Sequence, residues 1–316
     1  MGRPSGCPLS SILWRPSPVL RPLASDPHRP ALLDTALAWY FVLVWGSGYL
    51  ATKVGLQYAA PFTFLTLRFA FGVACLAVLA AALRPSFPRS RRELGHLAVA
   101  GLLMHAVNLG GSHYAQYLGL SAGITALVLA LQPVLTAVVA WRWLREPLAG
   151  AQWLGVAMGL GGVALIVAHK IDIHAVTPAA FAAAAIALAS VTAGTLYQRV
   201  FCPQANLWAG ALIQFSLAAA VLAPLAWAVE GMRIDWSWPM AGAIVFLVIF
   251  ASILAVNALH TLMRHGAATR VTSLLYLTPI IAVALEYLLF GVAPTALAWA
   301  GIVVTSAGVA LVAWRR

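Results

Sequence analysis

The sequence predicts an all-α integral membrane protein with ten transmembrane helices, arranged as two inverted five-helix repeats. Three observations lead there. Of the 316 residues, 62% are hydrophobic and 9% charged, with a mean hydropathy of +0.91, whereas a soluble domain carries roughly a quarter charged residues. The apolar residues gather into ten runs, each near the about 20 residues that cross a bilayer as a helix. The chain also matches itself at a single gap-free offset of 146 positions, with Ala122 to Leu165 running alongside Ala268 to Leu311. That alignment lays Pro133 on Pro279, Trp153 on Trp299, Gly155 on Gly301 and Gly162 on Gly308, and further upstream Gly48 on Gly194 and Lys53 on Arg199. Five helices per copy is an odd number, so the second copy enters the membrane from the opposite side and the repeats are inverted.

Residues 1–33 are rich in Pro and Arg and hold no long apolar core. The run from Leu9 to Trp14 is too short and interrupted for a signal peptide, so a disordered tail, or a start codon chosen too far upstream, is expected there. The first repeat then occupies 34–168, a short loop spans 169–177, and the second repeat occupies 178–316.

Within the first repeat the spans are expected near 35–57, 61–83, 94–117, 121–143 and 147–168, and within the second near 178–198, 206–229, 239–262, 267–290 and 294–314. Pro61, Pro147, Pro178, Pro239 and Pro294 stand at or near the first turn of five of them, where a missing N–H leaves no bond unmade. The first span carries Trp45, Tyr49 and Lys53 on one face, an aromatic wall leading to a cation. Arg68 lies about two turns into the second span, too deep to be bare, so it needs a partner or water. Lys53 and Arg68 together are expected to form a cationic rim for carboxylate or phosphate groups. The third span has the best polar stripe: Gly101, His105, Asn108, Ser112 and Gln116 recur at helical spacing. His105 and Asn108 fall near mid-bilayer by the 1.5 Å rise per residue, where polar side chains face a cavity or bond a neighbouring helix.

The fourth and ninth spans are equivalent yet differ in lining. Ala126, Ala130, Pro133, Ala137 and Ala140 in the fourth correspond to Thr272, Tyr276, Pro279, Val283 and Glu286 in the ninth. Tyr276 and Glu286 are therefore expected to contact solute from one half only. Pro133 and Pro279 each remove a helix hydrogen bond and loosen a carbonyl, which makes them hinge residues. Glu286 lies near its helix end, within reach of water. Tyr197, Asn257 and His260 are further polar positions of the second repeat.

Charge orients the chain. With the N-terminus inside, the cytoplasmic segments hold Arg84, Arg89, Arg91, Arg92, Arg142, Arg145, Arg199, Arg264, Arg270, Arg315 and Arg316 besides the basic tail, while the opposite loops hold little beyond Lys170 and Arg233. This positive-inside pattern puts both termini in the cytoplasm. It also accounts for the net charge of +11 without a nucleic-acid partner. Cys7, Cys75 and Cys202 are scattered without pair spacing, so neither a disulfide framework nor a metal site is expected. No His-Glu-x-x-His motif or phosphate loop is present, which leaves no basis for an enzyme, a cofactor or a self-contained ATP-driven pump. Ser112 and His113 are adjacent on one helix and diverge by about 100°, the wrong geometry for a catalytic dyad.

Several of these residues carry a resemblance. Trp45, Gly46 and Ser47, followed by Lys53, Pro61 and Arg68, resemble the opening signature of the EamA-type drug/metabolite transporters of the DMT superfamily. Leu120 to Gly123, then Leu131, Gln132 and Pro133, then Arg145, Glu146 and Pro147 before a Gly-rich helix, resemble the end of that family's first repeat, and Ala267 to Leu311 resembles the end of its second. The resemblance covers about residues 35–314. One departure stands out: Val292 occupies the position opposite Glu146. The resemblance implies a ten-helix carrier of the inner (plasma) membrane, often an exporter of amino acids, other metabolites or drugs. The expected function is therefore secondary transport, as an exporter, of a small amphipathic metabolite such as an amino acid, by alternating access between the repeats. A channel or a non-transporting membrane partner is the alternative. The expected partners are a small-molecule substrate and the lipid bilayer, with a homodimer left open.

Overall fold

The computed structural model describes residues 31–143, 147–172, 176–264 and 277–313. The N-terminal tail up to residue 30, Arg145 and Glu146, Thr272 and Tyr276 lie outside the described residues.

The described residues are helical almost throughout. α1 is Ala31–Gly55 and α2 is Pro61–Leu83. α3, Arg91–Tyr117, includes a π-helical stretch at Leu102–Val107, and α4, Ala122–Trp143, is interrupted after Leu129. α5 is Gly150–Asp172, α6 is Pro178–Phe201 and α7 is Leu207–Glu230. α8 runs as Trp238–Val245, a π-helical stretch Phe246–Leu254, and Ala255–Arg264. α9 is Thr278–Phe290 and α10 is Ala296–Ala313. Among the described residues, six of these helices (α2, α3, α4, α6, α7 and α8) are long and apolar enough to cross a membrane, and α5, α9 and α10 contribute shorter apolar helices. The protein is an all-helical integral membrane protein.

Local chemistry sets the helix ends. Pro61 and Pro178 open α2 and α6 at the first turn. Ser90, Ser121, Thr177, Asn206 and Ser237 accept backbone N–H bonds as N-caps of α3, α4, α6, α7 and α8, Asn206 satisfying two orphan donors and the others one each. Gly231 ends α7 with φ 67°, a left-handed residue that only glycine adopts without cost. α4 breaks at Ala130 and Leu131, just before Pro133, because proline has no N–H for the carbonyl four residues back and its ring crowds that carbonyl, here that of Leu129.

The duplication reappears in the packing. α2 packs on α7, α4 on α9 and α5 on α10, each helix against its own counterpart at the offset of 146, while α1 packs on α8 and α6 on α3. The π-helical stretch of α3 recurs in α8 at the corresponding positions. Where α5 meets α10, a Cβ on Gly155 would sit 2.6 Å from the Gly308 oxygen, and one on Gly162 would sit 2.9 Å from the Gly301 oxygen. Low numbers in one helix thus meet high numbers in the other, which is an antiparallel crossing too close for any residue but glycine. Between them Thr305 Oγ1 reaches the Gly159 oxygen at 3.5 Å, a pair separated by 146 positions. Phe69 and Phe215, also counterparts, meet edge to face at 5.1 Å between α2 and α7.

Candidate functional site

Polar chemistry collects in two places: a network beside the Phe69–Phe215 pair, and a contact at the end of the bundle where α1 and α9 finish.

The network begins on α2. Arg68 is buried and its Nη2 donates to Ser252 Oγ of α8 at 3.3 Å, while its Nε has no partner. Ser252 Oγ in turn donates to the Leu247 oxygen five residues back, at 2.8 Å, a bond allowed by the wide π-helical turn. The counterpart of Arg68 at the 146 offset is Gln214 on α7. Gln214 Oε1 pairs with His105 Nε2 of α3 at 3.1 Å, and its Nε2 donates to Gln198 Oε1 of α6 at 3.0 Å. Each copy therefore reaches from α2 or α7 to the π-helical stretch of a neighbouring helix: Arg68 to Ser252, and Gln214 to His105. The His105 ring packs edge-on against both Phe69 and Phe215, with centroids 5.9 and 4.9 Å away.

Further along α3, Asn108 and Ser112 are buried. Asn108 Nδ2 donates to the Met104 oxygen at 3.0 Å, leaving its Oδ1 without a partner. Ser112 Oγ donates to the Leu109 oxygen at 3.1 Å and lies 3.4 Å from His113 Nδ1. The adjacent pair is thus closer than their divergence on the helix suggests, but the hydroxyl is committed to the backbone. His113 Nε2 lies 3.4 Å from Thr52 Oγ1 of α1. The predicted stripe stays together on one helix, with Gln116 Oε1 buried and unpartnered.

The second place centres on Glu286 of α9, which is only 3% exposed. Its Oε1 accepts from Lys53 Nζ of α1 at 2.7 Å and from the Ala122 N–H at 3.2 Å; its Oε2 accepts from the Gly123 N–H at 3.0 Å. The carboxylate sits on the positive N-terminal end of α4 and joins three helices. Lys53 also lies 4.4 Å from the centre of the Phe290 ring. Glu286, expected within reach of water, is instead buried, because Lys53 and the backbone N–H groups of Ala122 and Gly123 occupy its carboxylate. At the same end, Glu230 at the close of α7 accepts from the N–H groups of Phe62 and Thr63 at 3.0 and 2.7 Å, and Ala59 bridges to Ile234.

Lys53 and Arg68, expected to form one rim, go separate ways: Lys53 to Glu286, Arg68 to Ser252. Trp45 is 40% exposed and stacks on Phe41, whereas Tyr49 is half-buried against Leu50, Ala122, Ala126 and Ala282. The two therefore share no wall. Pro133 is exposed and Pro279 buried, both at the start of helical segments. Tyr197 bonds His96 at 2.7 Å, away from the network. A cavity of about 30 Å³ opens between α2, α7 and α8, lined by Leu76, Trp208, Phe215, Ser252 and Asn257 among others. Sequence reasoning passed over Gln214, Gln198 and Ser252. The signal for Gln214 was present, since it is the position equivalent to Arg68 in an otherwise apolar span. Ser252 carried none, because its role depends on the π-helical turn.

These features define a membrane transporter with its polar groups gathered between two copies of one unit. The chain belongs to the EamA-like transporter family, whose model matches it twice, at residues 35–168 and 177–314. It is 28% identical over 275 residues to "Uncharacterized inner membrane transporter YedA" of Escherichia coli (strain K12), covering 85% of this chain and 87% of that one. It is 26% identical over 298 residues to a "Probable amino-acid metabolite efflux pump" of the same strain, covering 90% and 97%. A solved structure described as "Crystal structure of protein" has the same fold, with a TM-score of 0.62 at 19% identity over 89% of this chain and 96% of that one.

Proposed function

We propose that the protein is a secondary carrier of the inner membrane that exports small amphipathic metabolites such as amino acids, by alternating access between two inverted repeats, residues 34–168 and 178–316. Both termini are cytoplasmic on this reading, and ten helices span the bilayer. The contacts between equivalent residues support inversion. A residue touches its own counterpart only on a two-fold axis, as Phe69 does with Phe215 and Gly159 with Thr305. The antiparallel glycine crossing of α5 and α10 sets that axis across the helices, hence in the membrane plane. The similarity to an efflux pump for amino-acid metabolites supports the substrate class.

The observation that carries the reading is the unequal treatment of the two ends. Lys53 and Glu286 tie α1, α9 and α4 at one end, while the cavity against Ser252 is reached past Trp208 and Asn257, nearer the other. A carrier needs a site in the middle with one end shut. The solute-contacting residues on this reading are Arg68, His105, Asn108, Ser112, Tyr49 and Tyr276, with Trp45 at the rim and Lys53 and Glu286 closing the path. Pro133 and Pro279 act as hinges.

The test is counterflow in proteoliposomes preloaded with mixed amino acids. A carrier gives saturable uptake that is accelerated by solute on the other side; a channel gives neither saturation nor acceleration, and that result would overturn the proposal.

A further inference from the structure

Resting on the carrier reading, we infer that Arg68 and Ser252 form the subsite for the solute's carboxylate. Arg68 is more than nine-tenths buried, carries five N–H donors, and among the described residues makes one hydrogen bond, to Ser252, leaving Nε unpartnered. None of the described carboxylates pairs with it: Glu286 holds Lys53, Glu230 caps α2, and Glu93 bonds the Arg89 N–H. A guanidinium held in a low-dielectric interior without a counter-ion is costly, and a planar oxyanion is what its fork fits.

The equivalent residue sharpens the point. Gln214 holds the same position in the other copy, but both ends of its amide are occupied, by His105 and Gln198. The unmet donors therefore fall on one side of the axis only. Ser252, the hydroxyl that Arg68 holds, lines the cavity between α2, α7 and α8, where Leu76, Trp208 and Phe215 supply apolar wall. Arg68 stands behind Ser252 and does not itself line the cavity, so a carboxylate reaches the guanidinium beside the Ser252 hydroxyl, with its carbon chain left in that space. At about 30 Å³ the cavity is small, so acids beyond the shortest must spread α7 from α8. Lys53 is not part of the subsite, because Glu286 already neutralises it.

The test uses the purified full-length protein and thermal melts with acetate, butanoate and hexanoate, each compared with its neutral amide. The acids raise the melting temperature of the wild type and the amides do not. Arg68→Gln weakens the apparent affinity for butanoate by roughly tenfold or more, as expected for loss of a charge-assisted pair. Without ligand it melts no lower than the wild type, since it removes an uncompensated charge. Arg68→Lys keeps part of the response, Ser252→Ala loses part, and Lys53→Gln keeps it all. Equal responses in the wild type and Arg68→Gln, or equal effects of acids and amides, overturn the subsite. So does stabilisation in nanodiscs that follows phosphatidylglycerol rather than added acid, because the anion is then a lipid headgroup. A wild type indifferent to all three acids but active in counterflow overturns the subsite and leaves the carrier reading standing.

Discussion

His105 shows how much one side chain's surroundings decide. It is the titratable group of the network that its depth in α3 puts near mid-bilayer, and it pairs with Gln214 between two phenyl rings. On the carrier reading the driving force is a gradient, and a histidine that meets water in one of the two facing states can carry a proton across. If protons are coupled through it, His105→Gln abolishes accumulation driven by a pH gradient while solute exchange persists, at an affinity that the loss of the ring's own solute contact lowers. Glutamine still bonds Gln214, so the variant isolates titration from packing. Full pH-driven accumulation in proteoliposomes carrying that variant removes His105 from the coupling step. Arg68 and His105 were both legible in the sequence, as isolated polar residues at depth. Their partners were not, because periodicity assigns a face to a residue but not the helix across from it.

At the scale of the helix, the π-helical stretches and the glycine crossing carry the argument. Hydropathy located the six described helices that are long and apolar enough to cross a membrane, and α2 runs over the expected 61–83. The wide turns at Leu102–Val107 and Phe246–Leu254 were invisible, since apolar composition does not distinguish a π-helical turn from an α-helical one. They matter because a bond five residues back, as from Ser252 to Leu247, aims a side chain differently from a regular turn. The glycines of α5 and α10 were visible as a repeated pattern, but their reciprocal contact depends on the crossing. Gly155→Val drives a side chain into the Gly308 backbone and should cost about 1–3 kcal/mol, as overpacking does. Gly301→Val, its counterpart, should lower the melting temperature by a similar amount. If Gly301→Val is neutral while Gly155→Val is not, the crossing is not symmetric in solution.

For the whole molecule, on the carrier reading, the decisive feature is the end tied by Lys53, Glu286 and the start of α4. Removing the Glu286 charge releases Lys53 and the N-terminus of α4 together. Glu286→Gln should shift the population toward opening at that end, where even about 1 kcal/mol changes a two-state ratio roughly fivefold. Leu50, buried beside Ala122 and Ala282, is the reporter. In a chain lacking Cys75 and Cys202, Leu50→Cys should react faster with an impermeant thiol reagent when Glu286→Gln is added. Exchanging the two charges, Lys53→Glu with Glu286→Lys, should restore slow labelling only in part, because a lysine cannot accept the α4 N–H groups. Unchanged labelling in Glu286→Gln would mean that packing alone keeps the end shut. Topology has its own check: on the inverted reading, cysteines placed at 85–89 and at the C-terminus label from the same side.

The Lys53–Glu286 contact says something about why the two copies share one chain. At the 146 offset, Lys53 corresponds to Arg199 and Glu286 to Ala140. Two identical subunits related by a true two-fold would carry that contact at both mouths or at neither. They would then be equally tight facing either compartment, and could prefer neither resting state without help from the membrane potential or the solute. Joining the copies in one polypeptide lets them age separately. On the carrier reading, a single acid, present in one copy and absent from the other, gives the molecule a preferred way to face when empty. Direction of pumping does not follow from that preference, but the waiting posture does. A reciprocal pair of changes, Ala140→Glu with Glu286→Ala, should tilt the empty protein toward the opposite posture.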